Sequence, residues 1–539
     1  MTAVRTETPG SPWAPLASKV FRALWIAQLV SNLGTWMQTV GAQWILVDQP
    51  NAATLVSLVQ TATTLPVMLL SIPSGVLADL VDRRRLLIVA QTAMAILATL
   101  LTVFTATGHT TPVLLLTLLF LLGCGQALTA PAWQAVQPDL VPRSQIPAAA
   151  ALGSMSNNIG RAVGPAIAGV LVSLSGPTLV FALNAVSFTG ILIVLLRWKR
   201  PRLDDDLPVE RPIAALLAGL RFIRAAPAVR RVLLRCLLFL APGSALWALL
   251  PLVAHGQLQL SSSGYGLLLA ALGAGAVFGA TQLSRVRRFL APTGMLAVAA
   301  LAFAAATLGA ALVPNMPAVL ALLVVGGFGW MIAMSTMNST MQLLLPGWVR
   351  ARGLSVYQLV FMGGQAIGSL AWGLVAERHG TVTALIAATV LLVLCAISTR
   401  WWPVRISSLD TTPSTHWQDP ILDFEPAPTD GPVLVLETYH VPEELTADFT
   451  AAMTRVGRSR QRTGATEWRL YRDVGHADRF IEAFTVRSWS EHMRQHQLRL
   501  TATDAAAEAR VAEFTLGEGR TLHLIAVTPP DPARSWWRT

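Results

Sequence analysis

The chain has 539 residues, of which 53% are hydrophobic and only 13% charged. Soluble domains carry roughly 25% charged residues, so water is excluded as the solvent of most of this chain and lipid is expected in its place. The net charge of +11 would suit a nucleic-acid binder, but Lys and Arg lie between apolar runs instead of along one helix or patch, so no nucleic-acid partner is expected.

Residues 1–19 contain Glu7, Pro9, Pro12 and Pro15 but no apolar core, so no cleavable signal peptide is read there. A helix needs about twenty apolar residues to cross the hydrocarbon, and backbone polar groups cannot meet lipid unpaired, so each apolar run of that length is expected to be a helix. A first set covers roughly 20–47, 53–78, 86–107, 112–136, 147–174 and 178–197, within a half of 20–197. After a central connection of 198–230, opened by the charged run Arg200-Pro201-Arg202-Leu203-Asp204-Asp205-Asp206, a second set covers roughly 231–254, 264–284, 291–312, 316–343, 351–376 and 382–400, within a half of 231–404. The expected fold class is therefore an all-α polytopic membrane protein of twelve transmembrane helices in two six-helix halves, an arrangement that handles a small-molecule substrate between the halves near the bilayer midplane.

Basic residues mark one side of the membrane. They crowd at Lys19 and Arg22, Arg83 to Arg85, Arg143, Arg197 to Arg235, Arg285 to Arg288, Arg350 and Arg352, and Arg400 and Arg405, while the intervening loops near Asn51, His109, Gly176, Gln257 and Pro314 carry none; Arg378 is the exception. Both termini are accordingly expected in the cytoplasm.

Within the first helix Gln28, Asn32, Thr35 and Gln38 or Thr39 recur at three- and four-residue intervals and are expected to face the central cavity. Asp48 is a weak candidate for coupling a proton, with a solvated loop acid as its alternative. Arg161 lies near mid-bilayer in the fifth run, where an ionisable group is costly and usually functional. It could bind an anionic substrate group or pin helix carbonyls beside Pro165, since no Asp or Glu lies deep in any run. Cys124, Cys236 and Cys395 read as packing residues.

After a Pro-rich linker, 405–432, the order strand, helix, strand, strand, helix, strand over 433–528 is that of a small α+β ferredoxin-like domain, with a tail at 529–539. The second helix is expected over 488 to about 509. His492 and His496 lie one turn apart on it, but no third ligand is evident, and a surface or packing role is expected instead of a metal. No Walker phosphate loop appears, so ATP hydrolysis is not expected; fold analogy alone establishes no oxygenase, and no cofactor or enzymatic activity is assigned.

Two stretches carry a family resemblance. Gly75-Val76-Leu77-Ala78-Asp79-Leu80-Val81-Asp82-Arg83-Arg84-Arg85 resembles the loop signature of the major facilitator superfamily. The resemblance implies a gating loop in which Asp79 makes a charge-assisted latch at the cytoplasmic face; a plain topology anchor is the alternative. The counterpart from Gly275 to Arg288 has no acid, which weakens a symmetric latch. The stretch from Ala130 to Arg143, followed by Asn157-Asn158-Ile159-Gly160-Arg161-Ala162-Val163-Gly164-Pro165-Ala166-Ile167-Ala168-Gly169, is similar to the transmembrane secretion effectors, the branch that includes enterobactin exporters. In it Gly160, Gly164, Pro165 and Gly169 match the glycine-proline motif of antiporters. What this implies is secondary active export of a siderophore, drug or metabolite by alternating access across the bacterial cytoplasmic membrane, with a proton as a coupling partner. The C-terminal domain, through Ser488 to Arg499, is similar to the antibiotic-biosynthesis-monooxygenase-like fold, which implies pairing into dimers. A membrane-tethered enzyme or sensor is the alternative reading.

The basic-residue asymmetry makes a direct prediction. A cysteine placed at Gln257 should react with an impermeant thiol reagent in intact cells and one at Arg84 should not; reversed labelling would overturn the orientation.

Overall fold

Every one of these apolar runs is helical in the computed structural model, which describes residues 11, 13–198, 212–404, 410–417, 420, 422–517 and 519–527. In chain order the helices are α1 (Lys19–Leu46), α2 (Ala52–Leu80), α3 (Arg83–Ala106), α4 (Pro112–Leu140), α5 (Ile146–Ser175), α6 (Pro177–Arg197), α7 (Pro212–Ala225), α8 (Pro227–Leu252), α9 (Ser262–Phe289), α10 (Pro292–Leu312), α11 (Met316–Leu344), α12 (Arg350–His379) and α13 (Thr381–Ser398). Among the described residues, 11 helices, α2 to α6 and α8 to α13, are long and apolar enough to cross a membrane. Helix α1 spans 28 residues, and Gln28, Ser31, Asn32, Gln38 and Gln43 dilute its apolar character.

Local chemistry sets the helix ends. Proline stands in the first turn of α4, α5, α6 and α10, where its missing N–H costs nothing and its fixed φ already suits a helix. The side chains of Ser18, Asp82 and Thr111 accept backbone N–H groups as N-caps of α1, α3 and α4. A single glycine at positive φ joins α5 to α6 (Gly176, φ 73°) and α12 to α13 (Gly380, φ 87°), a conformation costly for any residue with a Cβ. The same one-residue turn thus closes both helix pairs, α5–α6 and α12–α13. Large apolar side chains such as Val113, Leu174 and Val186 are 75%, 76% and 68% exposed on the outside of the helices, a surface suited to lipid and not to water.

The central connection differs from expectation. Helix α7 occupies part of 198–230, and α8 begins at Pro227, because Pro212 and Pro227 each start a helix and Phe222 and Ile223 find a buried face. The charged run containing Asp205 lies outside the described residues.

The chain forms two compact units. The first takes the described residues of 1–207, 233–338 and 355–403, and the second those of 208–232, 339–354 and 404–539. The second unit contains strands β1 (Val433–His440), β2 (Glu467–Arg472), β3 (Arg479–Val486) and β4 (Arg520–Ile525), and helices α14 (Thr446–Thr463), α15 (Trp489–Arg494) and α16 (Ala502–Ala512). Its sheet runs β2-β3-β1-β4 with every neighbouring pair antiparallel. On β3 the alternate residues Phe480, Glu482, Phe484 and Val486 turn inward, and Phe449, Met453 and Val456 of α14 pack against Phe480.

The helix expected over 488–509 is broken into α15, a π-helical turn Gln495–Arg499, and α16. Thr501 and Asp504 form a reciprocal capping box that starts α16 afresh.

One buried charge cluster organises this unit. Arg460 is 1% exposed. It donates through Nε to Glu482 Oε1 at 3.1 Å, through Nη2 to Glu482 Oε2 at 3.2 Å and to Glu437 Oε2 at 3.4 Å, and through Nη1 to Glu508. Three carboxylates around one guanidinium leave excess negative charge in a poorly solvated place. Burial, and after it the charges of Glu482 and Glu508 acting against Arg460, push Glu437 up to about 7. Burial also opposes ionisation of Glu508, but the Arg460 charge outweighs it, with help from His416 and Trp417, and holds Glu508 down to about 2.

A raised carboxyl pKa means that the folded protein keeps a proton the unfolded chain has released. Stability from Glu437 is therefore complete below pH about 4.5 and declines as pH rises through about 7. Glu437→Gln should flatten that decline in thermal denaturation of the purified chain between pH 5 and 8; an unchanged slope would remove Glu437 as its source.

Candidate functional site

A seam between the N-terminal half, α1 to α6, and the C-terminal half, α8 to α13, is formed by contacts within the first unit and includes Pro165, Gly169 and Asp48 among the residues that sequence reasoning singled out. Helix α5 lies against α1 on one face and α9 on another. A Cβ at Gly160 would come within 2.9 Å of Asn32, one at Gly164 within 2.9 Å of Trp36, and one at Gly169 within 2.6 Å of the Ser262 carbonyl and 2.8 Å of Gly266 Cα. The glycine-proline motif thus serves two partners, with Gly160 and Gly164 on α1 and Gly169 on α9. The Pro165 carbonyl sits 2.8 Å from the Cβ position of Gly266.

The halves touch along a second line, α2 against α12. Gly373 leaves room for the Ser57 hydroxyl, Thr61 Oγ1 donates to the Ala366 carbonyl at 2.9 Å, and Glu377 Oε2 accepts the Thr54 N–H at 3.3 Å. Glu377 there does the work of an N-cap side chain for α2, whose own Asn51 makes no such bond.

The ends of the helices next to Asp48 and Ser261 complete this closure. Tyr265 donates its hydroxyl hydrogen to Gln43 Oε1 at 2.6 Å, both side chains buried. The Trp44 ring stacks on Tyr265 (6.1 Å, 15°) and meets His255 edge-on (5.9 Å). Asp48 Oδ1 lies 3.0 Å from His255 Nε2, with the two side chains 70% and 45% exposed. An ion pair this open contributes at most about 1 kcal/mol, so the buried hydroxyl bond and the glycine contacts dominate.

Toward the opposite end the described cross-seam contacts run to Ala162 against Gly273 and Met68 against Gly363. Further along α2, a Cβ at Gly75 would meet nothing within 4 Å. Polar side chains occupy this stretch. Gln28 Nε2 donates to Asn32 Oδ1 at 3.0 Å, Asn32 Nδ2 donates to Ser156 Oγ at 3.0 Å, and Arg161 Nη2 donates to Asn158 Oδ1 at 3.0 Å. Arg161 is half-buried and Asn157 and Asn158 are exposed. Across the same depth Trp36, Trp247 and Trp330 form an aromatic chain, with centroids 6.3 and 5.5 Å apart. The indole N–H groups of Trp247 and Trp330 have no hydrogen-bond partner among the described residues.

Other residues sit elsewhere. Gln38 is buried within the N-terminal half, accepting from Asn184 Nδ2 at 2.7 Å. Asp82 caps α3 through Arg85 N at 2.8 Å, and Arg84 donates from Nε and Nη2 to the Leu195 and Leu196 carbonyls at 3.0 and 2.9 Å, covering the C-terminus of α6. Arg83 is half-buried in the first turn of α3. The Asp79 side chain lies outside the described residues. Gln43, Tyr265, Glu377 and Gly373 belong to no motif that sequence reasoning singled out; each acts through a partner distant in the chain, Gln43 with Tyr265, Glu377 with Thr54 and Gly373 with Ser57.

A second cluster lies in the second unit and corrects an expectation. His523 of β4 joins His492 and His496, and one ring nitrogen from each lies within 4.8 Å of the others. A third imidazole is thus within reach of the two, and His492 and His496 are buried instead of on the surface, which leaves the packing role expected of them open. His523 pairs in register with Val435, whose side chain is buried, a relation invisible along the chain. Burial first, then the His496 and His523 rings, hold His492 down to about 3; burial also lowers His523.

A family model described as a transmembrane secretion effector matches residues 10–529. The chain is 25% identical over 280 residues to the staphyloferrin A transporter of Staphylococcus aureus, covering 51% of this chain and 70% of that protein. It is 28% identical over 410 residues to the enterobactin exporter EntS of Escherichia coli O1:K1 / APEC, covering 72% and 96%. A bacterial homologue of the human lysosomal transporter Spinster, in an inward-facing and unoccupied conformation, superimposes with a TM-score of 0.57 at 16% identity, over 73% of this chain and 98% of that one. A POT family transporter in complex with 5-aminolevulinic acid does so with 0.58 at 14%, over 72% and 97%.

The seam geometry predicts that Gly169→Leu, which drives four carbons into the α9 backbone, will leave α5 able to pack on α1 through Gly160 and Gly164 but will part the halves at the Asp48 end. Spin labels on Asp48 and His255 should move apart by several ångströms in the variant; an unchanged separation would show that Gly169 does not govern closure.

Proposed function

The chain belongs to the transmembrane secretion effector family, a family of membrane transporters and not of enzymes, and from that premise we propose that it exports a small amphipathic molecule by alternating access. One observation carries the reading. The halves are joined at the Asp48 end by Gly169 on Gly266 and Gly373 on Ser57, while the polar set of Gln28, Asn32, Ser156, Asn158 and Arg161 lies on the same helices α1 and α5 toward the end away from Asp48. With the Arg-poor end placed outside by the basic-residue asymmetry, this is a carrier closed to the exterior and open toward the cytoplasm of a bacterial inner membrane. In this reading α1 is the twelfth span, its polar row turned to the seam and away from lipid.

Within the seam, Arg161 is the cationic group that meets the substrate. Its fork of N–H donors suits a carboxylate or another planar acceptor group. The relatives named for staphyloferrin A and enterobactin support a siderophore-like or drug-like cargo. Asp79 makes the cytoplasmic latch, and its conversion to Asn should alter transport without loss of protein. Asp48, facing His255, is the carboxylate best placed to couple the outer closure to a proton. The β2-β3-β1-β4 sheet with its helices supports a ferredoxin-like fold for the C-terminal domain, which would pair chains into dimers.

Comparing the metabolites excreted by expressing and non-expressing cells tests export itself, and Arg161 tests its route. Arg161→Lys retains the charge and loses the fork, so efflux should fall at least tenfold for both Arg161→Lys and Arg161→Gln at normal membrane abundance. Full efflux by Arg161→Gln would contradict this role, and a parallel loss of protein and transport would make the residue structural.

A further inference from the structure

We propose that His492, His496 and His523 form a binding site for a divalent transition-metal ion of the zinc class within the C-terminal domain. The site stands apart from the transport seam and does not depend on the export reading. Its three imidazoles come from three pieces of structure. His492 is on α15, His496 is on the π-helical turn that follows, and His523 is on β4. The ring centroids are 4.7 Å apart for His492 and His496, 4.9 Å for His492 and His523, and 6.1 Å for His496 and His523. In a tetrahedral zinc site with Zn–N near 2.0–2.1 Å, ligand nitrogens stand roughly 3.3 Å apart. Nitrogens already within 4.8 Å of one another need to close by little more than an ångström, within reach of ring rotation.

A second observation points to a ligand. His492 is fully buried, and neither of its ring nitrogens has a hydrogen-bond partner among the described residues. A neutral imidazole carries one donor and one acceptor, and leaving both unmade in a dry interior is unfavourable. Beside it the buried Gln495 donates from Nε2 to Thr463 Oγ1 at 2.8 Å, while its carbonyl oxygen accepts nothing. A metal on one nitrogen of His492 and the Gln495 carbonyl on the N–H of the other would satisfy all three orphaned atoms, the arrangement in which an outer carbonyl fixes a ligating histidine.

The surroundings suit a metal more than a packed aromatic core. Trp417 lies edge-on to His496 at 4.7 Å, and Trp489 lies 5.5 Å from His492, walls that keep water out. Glu491, the nearest carboxylate on the same helix, is engaged by Arg221 at 3.0 Å and faces Arg499 at 3.7 Å, so it does not complete the ligand set. His523 is only partly buried and gives the ion a way in. Three imidazoles without a protein carboxylate or thiolate suit zinc, copper, nickel or cobalt over magnesium or calcium. They leave a fourth position for water or an incoming ligand.

The test uses the full chain in detergent, purified through a tag that contains no histidine, stripped with chelator and titrated with Co²⁺ and then Zn²⁺. One equivalent of Co²⁺ should bind with the visible absorption of a low-symmetry nitrogen site and be displaced by Zn²⁺. His523→Gln, at a part-exposed edge-strand position, should weaken binding at least tenfold, whereas His440→Gln, whose ring faces Asp478 on the surface, should not. Because His492→Ala could unfold the domain, His492→Phe provides a filled alternative. It too should abolish the Co²⁺ spectrum, and Zn²⁺ should raise the denaturation temperature of the parent chain but not of either variant. Absence of a Co²⁺ spectrum in the parent, or equal Co²⁺ affinity in the parent and His523→Gln, would overturn the assignment.

Discussion

Two helices in lipid gain nothing by hiding apolar surface from each other, because the lipid is as apolar as they are. What holds the halves of this chain together is close approach of backbone to backbone, and that is possible only where side chains are missing or very small. Gly169 against Ser262 and Gly266, and Gly373 against Ser57, supply that approach on two separate helix pairs. Once these contacts form, the buried Tyr265–Gln43 hydrogen bond and the stacked Trp44 can assemble above them. The polar residues lie beyond them on α1 and α5, toward the end away from Asp48.

The membrane fold was legible because lipid removes alternatives. Long apolar runs between arginine clusters have no conformation other than a helix. Helix α1 was read from its run over 20–47 although the polar row of Gln28, Asn32 and Gln38 lowers its apolarity. Helix α7 was hidden in a segment that reads as charged and turn-rich, and only its burial partners reveal why it forms.

At the site, residues with an intrinsic conformational or electrostatic peculiarity could be picked from the chain: Arg161 for its depth, Gly160, Gly164, Pro165 and Gly169 for their spacing. Residues whose role exists only in pairs could not. Tyr265 and Gln43 are unremarkable until the halves meet, Gln38 looked like its neighbours Gln28 and Asn32 until Asn184 was seen to claim it, and His523 joins its cluster through strand register. In the second unit the segments 208–232 and 339–354 fold together with the C-terminal domain, and Arg221 on Glu491 and the Arg499 guanidinium 4.9 Å over the Trp348 ring show the contacts that bind them.

The proposed alternating access demands that the halves part next to Asp48 once in every cycle. With Cys124, Cys236 and Cys395 replaced to leave no native thiol, cysteines at Asp48 and His255 joined by a short cleavable cross-linker should stop efflux completely, and cleaving the linker should restore it. Efflux that continues through the cross-linked protein would show that the substrate does not leave between the halves, and would contradict alternating access along this seam.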